Sequence, residues 1–503
     1  MIGRLQTLPL VVILMGIGGF ASFLPGLHAF AMRDYNVGRA FLYAGAVMLF
    51  LTVMLAIVTQ RQTVRQRQRG PLLALLLTYL ILPLWLAIPF LGAAPDATLL
   101  QGWFEMVSAL TTTGATLWPK ATDLPLSAHL WRALVGWGGG AFILIAAAAI
   151  LAPLNLGGNE VVSGRTIGQG GGLGSVASDP VRRFLLAATV VGPAYVGLTL
   201  ILWAGLLIAG SSATQGLCVA MSTLATSGIT CGQPIAANGA GRWGEGLVYL
   251  FLLVALSRRL LPGPAVTDRR AALWHDPELR LAAMILIFVP TALFARHWLG
   301  QLGEASADIV QPSMNAIWGV IFSTLSFLTT TGFVSADWPA AQAWSGLSTP
   351  GLVFLGLAIL GGGVATTTGG VKLLRIYALT RHGQRELERI IHPNSVGGEG
   401  LAARRMRHEG AFFAWVFFML FALSIAGLML GLSLAGLDFQ PALVLTIAAL
   451  TTTGPLVAIA TDAPMILAAL TGPAQILSGA GMILGRIEIL ALIALFSLGE
   501  QRR

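Results

Sequence analysis

LTTTGAT (110–116), LATSGIT (224–230), LTTTGFV (328–334) and LTTTGPL (450–456) are four versions of one short stretch. Their glycines, Gly114, Gly228, Gly332 and Gly454, stand 114, 104 and 122 residues apart. One such turn carries little information, but four in phase with the hydropathy pattern are an internal repeat. A glycine that merely ended a helix would not explain the recurrence. Ahead of each turn lies a short apolar segment, at 101–112, 213–226, 315–330 and 440–452. A membrane crossing needs roughly 20 apolar residues, so these segments are expected to be re-entrant half-helices. Irregular backbone at membrane depth is tolerated only where it is buried in protein or lines a water-filled cavity. The four turns are therefore expected to face one shared wet axis.

The rest of the chain agrees with a membrane setting. Of 503 residues, 56% are hydrophobic and 10% charged, against about 25% charged in soluble proteins. The net charge of +9 would suit nucleic acid, but the basic residues sit in short loops between apolar runs. They read as topology signals, and no nucleic-acid partner is expected. Ten apolar runs are read as crossings, near 8–28, 40–60, 71–93, 128–153, 183–209, 244–261, 280–300, 347–380, 411–434 and 464–498, several of them too long or too glycine-rich to be plain straight helices. Basic loops alternate with poorer ones. They hold Arg61, Arg65, Arg67 and Arg69, then Arg165, Arg182 and Arg183, then Arg258, Arg259, Arg269, Arg270 and Arg280, then the residues from Lys372 to Arg407, and finally Arg502 and Arg503. These loops are placed in the cytoplasm, with both termini. The segments 155–180 and 381–408 are read as cytoplasmic loops. Arg4 precedes an apolar run, and Ala29-Phe30-Ala31 mimics a cleavage site. The run is longer than a signal h-region, so a retained first helix is expected. The fold class is all-α and polytopic, with an N-terminal two-helix unit (1–70) and four span–turn–span repeats (71–155, 156–262, 263–381 and 382–503). Cys218 and Cys231 are the only cysteines. Two supply neither a disulfide framework nor a thiolate metal site, and they are expected to be free, buried thiols, with pairing as the alternative.

The turns suit a monovalent cation. A half-helix entering from outside aims its carbonyl end at the axis, carrying roughly half a negative charge. Glycine permits dihedrals that turn a carbonyl inward and leaves room for four strands to crowd together. Rings of backbone carbonyls can then replace an ion's hydration shell. The candidate ligands are Thr112, Thr113 and Gly114; Thr226, Ser227 and Gly228; Thr330, Thr331 and Gly332; and Thr452, Thr453 and Gly454. The hydroxyls of Thr113, Ser227, Thr331 and Thr453 either add ligands or hold the turn. K⁺ or Na⁺ fits this chemistry, and a divalent ion would want carboxylates. Glu105 occurs in the first half-helix only and is read as a local hydrogen-bonding group.

These residues resemble the TrkH/KtrB-type potassium transporters of bacterial membranes. The likeness spans nearly the whole chain. It rests on WFEMVSALTTTGAT (103–116), WHDPELR (274–280), GGGVATTTGGVKLLR (361–375) and LGRIEIL (484–490). It implies K⁺ as the transported ion, a potassium-channel-like pseudo-fourfold pore, a bacterial inner-membrane location and a homodimer with one pore per subunit. It also implies a cytosolic nucleotide-binding regulatory subunit of the TrkA type. The second repeat departs most from the pattern, with Ser227 at the middle threonine position. Residues 361–370 carry too many glycines and hydroxyls for a lipid-facing helix. The resemblance makes this stretch an intramembrane gate, with Gly361, Gly362, Gly363, Thr366, Thr367, Thr368, Gly369, Gly370 and Lys372, the alternative being a plain helix kink. Arg486, inside the last apolar run, marks function by its cost there. It cannot face Glu488 two residues on, and the resemblance makes it a barrier to cations below the turns. A structural ion pair is its alternative.

Two other classes of function fit less well. A sodium- or proton-coupled secondary transporter needs intramembrane carboxylates or histidines, and only Glu105 and Glu488 stand out. An intramembrane enzyme lacks a motif: His28, His129, His275, His297, His382, His392 and His408 lie mostly at span ends or loops. Neither 361–372 nor GQGGGLG (168–174) ends in the Gly-Lys-Ser/Thr of a phosphate loop.

Overall fold

The computed structural model describes residues 8–59, 70–158, 161, 180–233, 235–237, 239–260, 273, 276–300, 310–345, 351–392, 401–461 and 465–497. The basic stretch 61–69, Arg165 with 168–174, Arg269, Arg270, His275, Arg502 and Arg503 lie outside the described residues. Among the described residues all regular structure is helical.

The N-terminal unit is α1 (Leu10–Ala21), α2 (Phe23–Ala31) and α3 (Tyr35–Thr59). The first two form one span interrupted at Ser22, whose hydroxyl donates back to the Gly19 carbonyl at 2.8 Å. Ala29 and Ala31 lie inside α2. His28 beside them bonds Ser127 at 2.8 Å and Thr214 at 3.1 Å, which anchors this unit on the first two repeats. On α3, Tyr43, Val47, Phe50 and Val58 are exposed, as expected of a helix whose outer face meets lipid.

The first repeat contains α4 (Gly70–Ala93), α5 (Leu99–Leu110) and α6 (Leu126–Ala146), which runs on through a π turn, Ala147–Leu151. The second contains α7 (Pro180–Ile208), α8 (Ala213–Ala225) and α9 (Gly241–Leu252), extended by a 3₁₀ turn to Leu256. The third contains α10 (Pro277–Gly300), α11 (Val310–Leu328), α12 (Trp338–Ser345) and α13 (Gly351–Leu360). A loop, 361–372, leads into α14 (Leu373–Ile391). The fourth contains α15 (Leu401–Leu434), α16 (Phe439–Leu450), α17 (Gly472–Ile487) and α18 (Ile489–Ser497). The four expected half-helices are α5, α8, α11 and α16.

One expectation is refined and one corrected. Not all of the ten runs read as crossings form single long helices among the described residues. Seven helices among the described residues are long and apolar enough to cross a membrane, and α17–α18 is an eighth candidate bent by 84°. The bend falls at Glu488, a non-glycine residue at φ 66. The run at 244–261 yields α9 with its 3₁₀ end, and the run at 347–380 yields α13, which stops where Gly361 (φ 71) leaves the helical region. The described residues of 381–408, expected as a loop, are largely helical. Helix α14 continues to Ile391, with Glu386 and Arg389 paired at 2.9 Å one turn apart, and α15 already begins at Leu401.

The half-helices sit at the centre, enclosed by the second helices of their repeats. In α5, Phe104, Glu105, Met106 and Val107 are fully buried. The close approach depends on glycine at two matching places. A Cβ on Gly139 of α6 would collide with the carbonyl of Leu110, and one on Gly485 of α17 would collide with the carbonyl of Leu450. Each contact lies four residues before the glycine of its turn. Substituting Gly485→Ala should therefore push α16 aside at a cost of about 1–3 kcal/mol, the usual range for overpacking. The readout is a lower Tm of the detergent-solubilised protein, and an unchanged Tm would contradict this packing.

Candidate functional site

The four half-helices end in the same way. The residue two before each glycine, Thr112, Thr226, Thr330 or Thr452, has left-handed dihedrals, with φ of 55, 49, 56 and 53. Its N–H returns to the carbonyl three residues back, as in Thr112 to Ala109 at 2.9 Å and Thr330 to Phe327 at 3.1 Å. The next N–H returns five residues back: Thr113 to Ser108 at 2.8 Å, Ser227 to Ser222 at 3.0 Å, Thr331 to Ser326 at 2.9 Å and Thr453 to Ala448 at 2.8 Å. This is the Schellman pattern, which ordinarily places glycine at the left-handed position. Here a β-branched threonine holds it, a conformation rare enough to mark stored strain. Threonine therefore terminates each helix, and the glycine two residues later is free for another purpose.

That purpose is close approach between turns. A Cβ on Gly114 would strike the carbonyl of Ser227, and one on Gly228 the carbonyl of Thr331. One on Gly332 would strike the ring of Pro455, and one on Gly454 the backbone of Gly114 and Ala115. Each turn thus abuts the next in the order one, two, three, four, one, and the ring closes. Gly114, Gly228 and Gly332 have positive φ, of 75, 65 and 81. The fourth turn departs. Gly454 enters a 3₁₀ turn, Gly454–Ala458, with Pro455 following it, and its N–H donates to the Thr113 carbonyl at 2.6 Å. The sequence pointed to the second turn as the least regular, yet in backbone it is the fourth.

Hydroxyls hold the turns from behind. Thr111 contacts Thr113 at 2.8 Å, Thr329 contacts Thr331 at 3.0 Å and Thr451 contacts Thr453 at 3.2 Å. The second turn has Ala225 at that place, and Ser227 contacts Ser222 instead, at 3.0 Å. Above the ring opens a cavity of about 310 Å³, lined by all four glycines, Phe333, Pro455, Met465 and Leu467.

Buried carboxylates brace the strands leaving the ring. Glu105 accepts from Leu117 N–H at 2.6 Å and from the Thr116 hydroxyl at 2.8 Å, and it pairs with Arg132 at 2.7 Å. Its expected part as a local hydrogen-bonding group holds. Glu245 does the same for the third turn from a different repeat. It accepts from Ala336 N–H at 2.7 Å, the Ser335 hydroxyl at 2.7 Å and the Trp318 indole at 2.8 Å. Nothing in the sequence reading singled out Glu245, because its partners lie about ninety residues away. The free-thiol expectation is corrected as well: Cys218 and Cys231 form a disulfide, their Cα atoms 6.0 Å apart, within normal bridging range.

Below the ring, 361–372 breaks the membrane-depth helix as expected, and it touches three of the four turns. Gly369 N–H donates to the Thr330 hydroxyl at 2.8 Å. The Thr226 hydroxyl donates to Thr367 at 3.0 Å. A Cβ on Gly369 would strike the Thr451 carbonyl and the Thr452 hydroxyl. Gly361, Ala365, Gly370 and Lys372 all have positive φ. Gly362 accepts from Leu373 N–H at 3.0 Å, and Gly363 donates to the Ala255 carbonyl at 3.2 Å, which stitches the base of the loop. Thr366 contacts Thr368 at 2.8 Å, and the Lys372 ammonium donates to the Thr368 carbonyl. Arg486 donates to the Thr367 carbonyl at 2.6 Å. The buried Tyr79 hydroxyl also lies beside this guanidinium and interacts with it. Arg486 does not pair with Glu488, which instead binds Arg375 at 2.7 Å, with Arg375 lying over the Phe417 ring. Glu278 accepts Val364 N–H at 2.8 Å. The motif containing Glu278 and Asp276 was legible in the sequence, but its task of bracing the loop was not.

Comparison with known proteins finds one family model and several relatives. Residues 253–502 match the family model TrkH, described as cation transport protein. The Trk system potassium uptake protein TrkH of Salmonella typhimurium is 28% identical over 483 residues, 94% of each chain. TrkI of Halomonas elongata is 29% identical over 456 residues, 90% of this chain and 88% of that protein. The crystal structure of the potassium transporter TrkH from Vibrio parahaemolyticus superposes with a TM-score of 0.78 at 26% identity, covering 98% of both chains.

The buried Glu105–Arg132 pair supplies a test of the scaffold. Removing one partner of such a pair costs about 3–5 kcal/mol, because the other charge stays buried and uncompensated. Glu105→Ala should lower the Tm sharply, and adding Arg132→Met should recover part of the loss. A single variant as stable as the parent would contradict the brace.

Proposed function

We propose that this chain, a member of the TrkH family of cation transport proteins, takes up potassium across a bacterial inner membrane through the ring of four turns. The single observation that carries the reading is the closed ring itself, in which four half-helix ends converge with a glycine at every contact. Relatives named for potassium uptake support the choice of ion. Four helix carbonyl ends, each worth roughly half a negative charge, favour a cation at their meeting point. Carbonyls of Thr113, Gly114, Ser227, Gly228, Thr331, Gly332, Thr453 and Gly454 are the proposed ligands. Thr113 gives up its bond from Gly454 as the ion passes.

In this reading 361–372 is the gate and Arg486 the barrier. Opening breaks the neutral contacts of Thr367 and Gly369 with the turns, worth about 0.5–1.5 kcal/mol each, and the charge-assisted Arg486 bond, worth about 1.5–3 kcal/mol. That is a modest load for a cytosolic nucleotide-binding subunit of the TrkA type acting on a homodimer with cytoplasmic termini. The four units 71–155, 156–262, 263–381 and 382–503 are the pore repeats, and 1–70 flanks them. A sodium- or proton-coupled mechanism is less favoured, because Glu105 and Glu488 are both engaged by arginines.

The test is ⁸⁶Rb⁺ flux into proteoliposomes containing the purified chain, with K⁺ and Na⁺ as competitors. Flux is expected to fall with added K⁺ far more than with Na⁺. No cation-selective flux, with and without a partner subunit, would overturn the reading. Gly114→Ser places a side chain against Ser227 and should abolish the discrimination between K⁺ and Na⁺. Arg486→Ala should raise the flux or loosen its control, and unchanged flux and regulation would remove the barrier role.

A further inference from the structure

The strand leaving each turn has to be tied back, and the four repeats do this by different chemistry. In the first, Glu105, nine residues before Gly114, receives the N–H of Leu117, three residues after it. In the third, Glu245 receives Ser335 and Ala336, three and four residues after Gly332. In the fourth, the chain folds into its own 3₁₀ turn, with Leu456 N–H returning to the Thr453 carbonyl at 3.2 Å. The strand leaving the second turn receives no such carboxylate among the described residues. Cys218, ten residues before Gly228, is instead joined covalently to Cys231, three residues after it. Both are buried. The disulfide therefore occupies the position of the carboxylate brace, and the ring it closes contains Thr226, Ser227 and Gly228.

The second turn also has the most need of such a tie. Ala225 stands where the other turns carry the threonine that holds the next hydroxyl, so Ser227 is held by Ser222 instead, beside the Thr226–Thr367 contact. Its outgoing residue Gly232 packs against Ala121 and His129 of the first repeat, where a Cβ would not fit. A shift of Cys231 would thus disturb two neighbouring turns.

We propose that the Cys218–Cys231 bridge is a positioning element for ion selection: it fixes the second turn, and discrimination between K⁺ and Na⁺ depends on its being oxidised. Carbonyl-ring selectivity rests on cavity size or ligand field, both of which change when one of four strands loosens. The outer face, toward which the strand runs, borders an oxidising compartment in which such a bridge persists. This inference rests on the proposed ion pathway.

The experiment compares oxidised protein with protein reduced in detergent by tris(2-carboxyethyl)phosphine before reconstitution. Each S–S bond cleaved consumes one phosphine and one water, yielding two thiols and the phosphine oxide. Reduction is verified by alkylation and mass measurement, and a Cys218→Ala/Cys231→Ala variant provides a second route. Rb⁺ uptake should persist in both, while the ratio of Na⁺ to K⁺ needed for half-inhibition falls about fivefold or more, the low end of couplings between distant sites. Reoxidation with glutathione disulfide should restore the ratio in the parent protein and leave the variant unchanged. An unaltered ratio in verified reduced protein or in the variant overturns the proposal. So does alkylation of both thiols before any reductant is added. Oxidised protein without cation-selective flux would overturn the proposed function, and this inference with it.

Discussion

Backbone that reverses direction at membrane depth has no water to satisfy it, so every N–H and C=O must find a partner in the protein or face a wet cavity. This chain makes that reversal four times and solves it each time with the same helix end. A threonine in the left-handed region returns two N–H groups to the last turn of the half-helix. In the proposed pathway the carbonyls beyond are those offered to the ion. Much of the remaining structure follows from this. Glycines on α6 and α17 admit the carbonyls of Leu110 and Leu450, glycines in the turns admit the neighbouring turn, and the outgoing strands are tied by carboxylates, a disulfide or a 3₁₀ turn.

The region below the ring obeys the same accounting with charges added. Arg375 is neutralised by Glu488 and shielded by Phe417, the arrangement of a structural pair. Arg486, two residues before Glu488, is treated differently. It binds a carbonyl of the loop and neighbours the Tyr79 hydroxyl, instead of pairing with Glu488. A buried guanidinium held this way is costly, and it sits where an ion crossing the ring would arrive. The loop is held from above by threonines of the turns and from the side by Glu278. Its place is set by contacts that are individually weak.

The core of this arrangement was legible in the sequence because it repeats. Four Thr-Gly turns at matched places named the ring, and the glycine-rich 361–370 and Arg486 named the elements beneath it. What escaped was whatever depends on distance along the chain. Glu245 braces a turn in the next repeat, and no local pattern marks that. Two cysteines in an apolar chain carry no framework and leave pairing only as an alternative; it is the fold that brings the Cα atoms of Cys218 and Cys231 to 6.0 Å. The helix-ending role of Thr112 and its counterparts was hidden because propensity assigns left-handed positions to glycine. The break at 361–370 was legible in its glycines, but the early end of the helix within 244–261 was not, because hydropathy cannot distinguish a long straight helix from a shorter, broken one.

The central claim is that a cation sits on the axis inside the ring of four turns. It is tested most directly by anomalous diffraction from crystals of the protein grown in Rb⁺ or Tl⁺. The account expects anomalous density on the axis, ringed by Thr113, Ser227, Thr331 and Thr453 and diminished when K⁺ replaces the heavier ion. Absence of density between these turns, or strong density only at some other place in the fold, would contradict it.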